Sequence, residues 1–323
     1  MNDRVPFASS GRDLGVLVGV DGSAHARLAL HFAAVNALSS NTALTVVAVY
    51  RLPPMMYTGE PAILVTPEPR AERDRAERDR AETVLDDARK YLRDYPGKVT
   101  FSSAEGSPTG VLTELSGRAQ TVVVGSHGRG GFIGQLLGSV AAALPARSQC
   151  PTVVVPKDYQ PEAGQGPELF ANARDTGPVV AGIDLSERSR IVLLLAARQA
   201  ELFAAPLQVL TAMPLLREWK YWYPELEEFE TITERRQSNL RASAEKEIAW
   251  LRQRHSCLEI TADVELGAPG DLLEAKTRAA QLTVVGTRGR GTMKSTLLGS
   301  VSRELLNRAQ GPVMVVPTET AAQ

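Results

Sequence analysis

Two glycine-rich stretches are the residues whose types and spacing point most directly to chemistry. The first, VVVGSHGRGGFIGQLLGSV, spans 122–140, and the second, TVVGTRGRGTMKSTLLGSV, spans 283–301. In each, an apolar run is followed by Gly-x-x-Gly, nine further residues and Gly-Ser-Val. We call this pattern the glycine frame. Its turn lets backbone N–H groups converge on an anion, because no Cβ blocks the approach.

The second half of each glycine frame predicts a second anion-binding element. Gly138-Ser139 and Gly299-Ser300 each open a helix, where a hydroxyl group and unpaired N–H donors favour negative charge. Together the turn and the helix start can hold one polyphosphate from two sides. The alternative is that the glycines serve only tight packing turns. The repetition of the whole frame, with Ser and Val following both times, favours binding.

The frame occurs twice because the chain is a tandem duplication. Its first strand recurs, as LGVLVGVD and GPVVAGIDLS, and so do its second strand, its long helix and its last strand. Asp21 and Asp184 lie 163 positions apart, and Gly125 and Gly286 lie 161 apart. We therefore predict two domains, called lobe one and lobe two below. The expected boundaries are a flexible tail over 1–13, lobe one over 14–156, a linker over 157–177, lobe two over 178–317 and a tail over 318–323.

The alternation of strands and helices predicts an α/β fold with two doubly wound domains. Each is expected to contain a five-stranded parallel sheet in the order 3-2-1-4-5, with right-handed crossovers and helices on both faces. A ligand in such a sheet lies at the carboxyl ends of the strands, where the strand order reverses. The aspartate after the first strand and the glycine frame after the fourth would then face one crevice.

Composition and charge exclude several classes of function. The 323 residues are 43% apolar and 23% charged, and the net charge of −1 lacks the basic excess of a nucleic-acid-binding surface. No apolar stretch approaches the roughly 18 residues of a membrane span, and the polar start lacks a signal-peptide core, which predicts a cytoplasmic protein. Cys150 and Cys257 match no metal or redox spacing and are expected to be reduced and mostly buried.

With these motifs, the sequence resembles the universal stress proteins, in the form that carries two tandem domains. The resemblance covers about 14–156 and 178–317, and Gly-x2-Gly-x9-Gly-Ser is the ATP-binding signature of that family. It implies a nucleotide-dependent stress-response module that binds ATP and turns it over slowly or not at all. It also implies an adenine nucleotide and an unidentified protein as partners, and a homodimer or an intrachain pseudo-dimer in which the fifth strands pair.

The resemblance assigns binding roles around the two frames. Asp21 and Asp184 would lie against ribose and phosphates, the backbone of Val49 and Ala212 would meet adenine, and the Gly-Ser-Val steps would bind phosphate. Mg²⁺ carried by the triphosphate could be held by the same two aspartates. The expected ATP-binding residues are Val20, Asp21, Ser23, Val49, Gly125, Ser126, Gly128, Arg129, Gly138, Ser139 and Val140 in lobe one, and Ile183, Asp184, Ser186, Ala212, Gly286, Thr287, Gly289, Arg290, Gly299, Ser300 and Val301 in lobe two.

Other interpretations of these residues stay open. The two aspartates could cap the helices that follow them, as Ser23 is expected to do for the first helix. Arg129 and Arg290 coincide between the lobes and could either reach phosphate or remain solvated. His127 has Arg288 at the equivalent position, which argues against a shared catalytic role.

Rapid catalysis is not expected from these residues. No repeated general base and no phosphate-binding G-x-x-x-x-G-K-[ST] occur. The motifs of ATP pyrophosphatases and nucleotidyltransferases, S-G-G-x-D-S and H-x-G-H, are also absent from the sequence. The alternatives that remain are a slow ATPase and an association scaffold with lost or partial nucleotide binding.

Lobe one and lobe two depart from the shared pattern at one position each. Pro145 falls where the helix after the first frame should continue, so a kink or an early stop is expected there. Leu185 replaces Gly22 of lobe one, which should be tolerated because Asp184 and Ser186 keep their spacing.

Three further segments are assigned more coarsely. The charged run AERDRAERDRAE interleaves acids and bases and predicts a self-paired, solvated helix. Residues 52–69 and 217–229 follow the second strand of each lobe. They are expected to form lids or an oligomer contact, or to pack on their own lobe.

Overall fold

A computed structural model shows the fold and describes residues 7, 11–52, 70–129, 137–161, 166–171, 177–214, 229–289 and 298–318. In lobe one, short β-branched runs form the strands, and the longer alanine- and leucine-rich or charged stretches form most of the helices. The strands are β1 (Gly15–Val20), β2 (Leu44–Tyr50), β3 (Val99–Glu105), β4 (Ala119–Gly125) and β5 (Thr152–Val155). The helices are α1 (Ala24–Ser39), α2 (Arg70–Tyr91), α3 (Pro108–Leu115) and α4 (Ser139–Ala143).

Lobe two repeats this order of elements. Its strands are β6 (Val179–Ile183), β7 (Leu207–Met213), β8 (Ile260–Leu266), β9 (Leu282–Gly286) and β10 (Val313–Val316). Its described helices are α5 (Ser189–Leu202), α6 (Phe229–Arg252), α7 (Pro269–Thr277) and α8 (Ser300–Arg308).

The ten strands form a single sheet in the order β3-β2-β1-β4-β5-β10-β9-β6-β7-β8. Within each lobe the strands are parallel in the predicted order 3-2-1-4-5. The fifth strands, β5 and β10, pair antiparallel, with Val154 opposite Val313 and Val153 opposite Met314. Each lobe therefore covers an edge strand of the other.

Helices cover both faces of the sheet, as predicted for doubly wound domains. α1, α2, α5 and α6 pack on one face, where buried side chains include Phe32, Leu193 and Ile248. α3, α4, α7 and α8 pack on the other face, with Leu112 and Leu273 among the buried side chains. Both apolar layers contain residues from both lobes, so the lobes share one core.

Helices α1 and α5 also supply a polar contact between the lobes. Asn36 Nδ2 donates to Gln199 Oε1 at 2.7 Å, and both side chains are buried. The two positions are 163 apart, the same offset that separates Asp21 from Asp184. Equivalent positions of the duplication therefore meet each other at the lobe interface.

The predicted flexible tail is partly anchored. The Arg12 guanidinium donates to the backbone carbonyls of Ser116, at 2.9 Å, and of Gln149, at 3.0 Å, and lies over the Phe7 ring. Ordered contacts with lobe one thus begin inside the segment 1–13. The Arg12 side chain thus holds the described end of this segment against lobe one.

The predicted linker also contributes to lobe one. Within 157–177, a short 3-10 helix (Gly166–Phe170) carries Phe170, which is 1% exposed. Its ring stacks on His31 at 6.1 Å and meets the Tyr95 ring edge-on at 5.3 Å. The Pro- and Gly-rich composition of the segment predicts a tether, but one aromatic side chain closes the core of lobe one.

The two cysteines lie in different environments. Cys150 is buried, and this burial raises the pKa of its thiol to about 11. Cys257 is exposed, which corrects the expectation that both thiols are mostly buried. It lies in the short connection between α6 and β8, outside both apolar layers.

The charged run folds as predicted, into the first half of helix α2, whose charged side chains are largely exposed. Ion pairs three residues apart join Arg80 to Glu77, Arg89 to Asp86 at 2.7 Å and Lys90 to Asp87 at 3.1 Å. Of the two predicted lid segments, residues 53–69 and 215–228 lie outside the described residues.

Candidate functional site

The candidate site of each lobe forms where the first and fourth strands end side by side. In lobe one, Asp21 follows β1, and its carboxylate joins two loops. Oδ1 accepts the Ser23 N–H at 3.0 Å, and Oδ2 accepts the Arg129 N–H, from the glycine frame, at 2.9 Å. The aspartate therefore holds the glycine turn against the start of α1, as expected if both face one crevice.

The first turn of each frame requires glycine beside that carboxylate. An ideal Cβ on Gly128 would lie 2.6 Å from Asp21 Oδ2, and one on Gly289 would lie 2.8 Å from Asp184 Oδ2. Real Cβ contacts are essentially never that short, so a side chain there would displace the aspartate. The same close approach of turn and aspartate thus occurs in both lobes.

The two halves of each frame are also in direct contact. The Gly138 N–H donates to Ser126 O at 2.8 Å, and the Gly299 N–H donates to Thr287 O at 2.8 Å. Each of these glycines is the N-cap of the next helix and makes no side-chain cap hydrogen bond. The first N–H groups of the helix therefore lie next to the glycine turn without a capping side chain.

Pro145 makes the helix after the first frame shorter than its counterpart. The α4 helix ends at Ala143, after five residues, and a 3-10 helix (Leu144–Ala146) containing the proline follows. The equivalent α8 is a continuous helix of nine residues. The predicted early stop is confirmed, and lobe one has the weaker helix dipole at this point.

The second strands point backbone groups toward the same crevice. The Tyr50 carbonyl accepts the Gly106 N–H at 2.9 Å, on the side of β3. Because successive backbone groups of a strand point to opposite edges, the N–H and C=O of Val49 point to the β1 side. The β1 ladder has already ended there, at Val20 opposite Ala48.

The equivalent strand of lobe two has the same geometry. The Met213 carbonyl accepts the Gly267 N–H at 3.0 Å, which directs the backbone groups of Ala212 toward β6. The pairing of β6 with β7 ends one residue earlier, at Ile183 opposite Thr211. Both residues expected to meet adenine therefore present backbone groups where the neighbouring strand has stopped.

The remaining predicted residues surround these contacts. Val20 and Ile183 are buried beneath the crevice, Val140 and Val301 are half-buried against an apolar layer, and Ser139 and Ser300 are exposed. The Ser126 and Thr287 N–H groups donate to the last residues of β5 and β10, each at 2.8 Å. Gly125 and Gly286 end β4 and β9. Arg290 lies outside the described residues.

The two lobes differ in the loop after the first strand. Ser23 caps α1, with Oγ accepting the Ala26 N–H at 3.1 Å, as predicted. In lobe two, α5 begins only at Ser189, whose hydroxyl donates to Asp184 Oδ1 at 2.8 Å. Ser186 therefore does not cap α5, although its N–H donates to Asp184 Oδ1 at 3.1 Å. The preserved Asp-x-Ser spacing hides this difference from sequence analysis.

Leu185 is accommodated at a conformational cost. Its φ is +58°, in the left-handed region, and the equivalent Gly22 has a φ of +79°. The left-handed conformation costs a residue with a Cβ about 1–2 kcal/mol, whereas glycine adopts it freely. The loop therefore keeps its shape in lobe two, but under strain.

Lobe one places two imidazoles beside its glycine turn. The rings of His25, in the first turn of α1, and His127 lie 5.2 Å apart, and His127 Nδ1 lies 3.1 Å from Ser126 Oγ. Burial lowers the pKa of His25, and the neighbouring His127 lowers it further, whereas Asp21 acts in the opposite direction. The sequence alone does not single out His25, because its equivalent by the 163-residue offset is Arg188.

Two kinds of feature are absent from the described residues. Within the described ranges, no group of three His, Cys, Asp or Glu side chains is placed to bind a metal ion. None of the described helices combines the length and the apolar character that crossing a membrane requires.

Two doubly wound lobes, each with an aspartate and a glycine turn at its switch point, define a tandem α/β protein with one candidate ligand crevice in each lobe. The chain belongs to the universal stress protein family, which matches residues 15–156 and 176–317. The tandem organisation and the family predicted from the glycine frames are thus confirmed.

Relatives of similar length support this placement. A universal stress protein of Mycobacterium bovis is 31% identical over 306 residues, which cover 93% of this chain and 96% of the relative. One from Mycolicibacterium smegmatis is 29% identical over 315 residues, covering 96% and 99%. The crystal structure of a universal stress protein from Archaeoglobus fulgidus has a TM-score of 0.63 at 17% identity and covers 95% of this chain and all of that one. This last likeness shows the fold.

Proposed function

We propose that this universal stress protein binds one adenine nucleotide, ATP, in the crevice of each lobe and acts as a nucleotide-dependent regulatory module. The observation that carries the proposal is the close approach of Gly128 to Asp21, too close for a Cβ, which Gly289 and Asp184 repeat. It joins the first and fourth strands at the switch point, where ligands of such sheets bind. We further propose that the protein works in the cytoplasm.

The parts of each crevice suit different parts of the nucleotide. The backbone groups of Val49 and Ala212 can pair with the edge of an adenine ring. The N–H groups at the glycine turn and at the start of the following helix can bind phosphates. In lobe two this second element is a nine-residue helix, so the phosphate site there has the stronger dipole.

We assign Asp21 to organising the loops of lobe one. Both oxygens of Asp21 accept backbone N–H groups, which leaves it poorly suited to serve as a primary metal ligand. Mg²⁺ would therefore reach the site on the nucleotide phosphates. Because no general base recurs in both lobes, we expect turnover far below the roughly 1–10³ s⁻¹ of ordinary enzymes.

The proposal is tested by the nucleotide content of the purified chain. After denaturation, chromatography should find about two adenine nucleotides per chain, and Gly128→Ala or Gly289→Ala should each remove one, because the new Cβ displaces the aspartate. Gly11→Ala is the control, since an added Cβ there meets nothing within 4 Å. If the chain is isolated empty, ATP at about 100 times its dissociation constant should stabilise it by about 2.7 kcal/mol per site.

The outcomes separate the alternatives. One nucleotide per chain, lost only in Gly289→Ala, would mean that the short α4 helix leaves lobe one without a site. No bound nucleotide, together with no stabilisation by added ATP, would contradict the proposal and favour an association scaffold.

A further inference from the structure

The two crevices carry different basic side chains at the same place in the glycine turn. His127 stands between Gly125 and Gly128, and Arg288 stands between Gly286 and Gly289. Their backbones are placed alike. An ideal Cβ on the N-cap glycine of the next helix would lie 3.2 Å from His127 Cα in lobe one and 3.6 Å from Arg288 Cα in lobe two.

We propose that lobe one binds its polyphosphate ligand in a proton-dependent manner, through the imidazoles of His127 and His25, while lobe two binds with the permanent charge of Arg288. The inference rests on the proposed function and states how its two sites differ. The imidazole pair would then determine at which pH lobe one binds its ligand.

The position of the imidazole pair supports this role. His25 lies directly against the start of the glycine turn, since an ideal Cβ on Gly125 would come within 2.7 Å of the His25 carbonyl. The rings are 5.2 Å apart, and His127 belongs to the turn whose next glycine leaves no room for a Cβ beside Asp21. The two rings therefore lie together beside the glycine turn of lobe one.

The charged groups around the pair come from three elements. Asp21 follows β1, the Arg129 guanidinium lies against Gly22, and Lys157 follows β5. Burial disfavours the protonated form of His25 most, His127 and Lys157 disfavour it as well, and Asp21 favours it, so the pKa of His25 is lowered on balance. A polyphosphate would add several negative charges here and would shift this balance toward protonation.

Lobe two lacks such titratable groups at the equivalent positions. Arg288 replaces His127, Arg188 replaces His25 and precedes α5, and Thr318 replaces Lys157. A guanidinium stays protonated at any ordinary pH, whereas an imidazole gains its proton between about pH 8 and pH 5. At these positions lobe one therefore carries side chains of the titratable class, and lobe two does not.

The test uses two chains that each retain one site. Gly289→Ala reports on lobe one and Gly128→Ala reports on lobe two, with ATP binding measured by calorimetry at about pH 8 and about pH 6. We expect lobe one to bind roughly tenfold more tightly at the lower pH, the effect of one charge-assisted contact. ATP itself also titrates in this range, and lobe two corrects for that because it meets the same ligand.

Exchanging the side chains sharpens the test. His127→Arg in the lobe-one chain should remove most of the pH dependence, and Arg288→His in the lobe-two chain should introduce it. Equal pH dependence in the two lobes would overturn the inference while leaving the proposed function intact. So would a dependence in lobe one that survives His25→Gln combined with His127→Gln. If the unaltered chain binds no ATP at either pH, the proposed function fails and the inference fails with it.

Discussion

The Asp21 carboxylate accepts hydrogen bonds from uncharged backbone N–H groups rather than from a charged side chain. Each carboxylate oxygen accepts one N–H group, from Ser23 and from Arg129. This arrangement couples two loops that are 108 positions apart in sequence. The aspartate and the glycine frame were predicted to share a crevice, but the hydrogen bonds that hold them together depend on three-dimensional placement that spacing does not specify.

Replacing Asp21 by Asn should separate these loops. An amide presents an NH₂ group to one of the two N–H donors, so one donor loses its acceptor. We expect the free energy of unfolding to fall by about 1–3 kcal/mol and ATP binding in lobe one to weaken. Urea unfolding and calorimetry on the Gly289→Ala background would measure both effects. Unchanged stability and affinity would mean that the carboxylate is not what holds the turn.

His31 should make the stability of the protein depend on pH. It is 3% exposed, Nδ1 lies 3.0 Å from the Tyr91 hydroxyl, and burial lowers its pKa to about 4. The unfolded chain therefore takes up a proton near pH 6.5, while the folded chain does not until about pH 4. The free energy of unfolding is therefore unaffected by the titration of His31 above pH 6.5, and it decreases as the pH falls from 6.5 toward 4.

From pH 7 to pH 5, His31 should cost about 2 kcal/mol of stability. The difference in unfolding free energy between the native chain and His31→Gln measures this amount, since all other titrating groups are common to both. A variant with the same pH dependence as the native chain would show that His31 titrates normally when folded.

At the scale of elements, the helices that follow the two glycine frames, α4 and α8, show how one residue sets the length of a helix. Pro145 ends α4 after five residues, whereas α8 has Leu306 at the equivalent position and runs for nine. The early stop could be predicted because proline excludes a backbone donor whatever its surroundings. The late start of α5 could not, because it depends on how the Ser189 hydroxyl reaches Asp184.

Pro145→Ala should lengthen α4 and strengthen the phosphate site of lobe one. A longer helix dipole near the anion contributes about 0.3–1 kcal/mol, which corresponds to a twofold to fivefold gain in affinity. ATP titration of Gly289→Ala with and without Pro145→Ala would measure it. The matched change is Leu306→Pro in the lobe-two chain, which should weaken binding. If affinity moves in neither lobe, the helix start does not contact the phosphates.

The sequence predicts elements more securely than connections. The β-branched runs and the repeated order of strands and helices indicate the sheet order of both lobes without knowledge of side-chain contacts. By contrast, the roles of Phe170 and Arg12 depend on partners in lobe one, and neither residue type stands out in its own segment. Composition therefore predicts where a connector runs, but not whether it is anchored.

At the scale of the molecule, the two lobes form one cooperative unit. They share a ten-stranded sheet and both apolar layers, and the buried pair Asn36–Gln199 joins them. Removing one member of such a pair leaves a buried amide without its partner, which costs about 1–3 kcal/mol. The stability of each lobe is therefore expected to depend on residues of the other.

Asn36→Leu should lower the unfolding free energy of the whole chain in a single urea transition. Adding Gln199→Leu should restore part of the loss, because the second change removes the orphaned amide. Two separate transitions in the native chain would contradict the shared unit. Strictly additive losses in the double variant would show that the amide pair contributes nothing as a pair.

The antiparallel pairing of β5 with β10 sets the strand direction of one lobe relative to the other. The strands of lobe one run antiparallel to the strands of lobe two. The carboxyl ends of the two sets of strands therefore lie at opposite ends of the strands in the common sheet. The two crevices therefore open toward opposite poles of the protein. If each crevice binds the proposed nucleotide, a protein that docks at one pole would meet the nucleotide of one lobe only, and the two ends of the molecule would present separate signals.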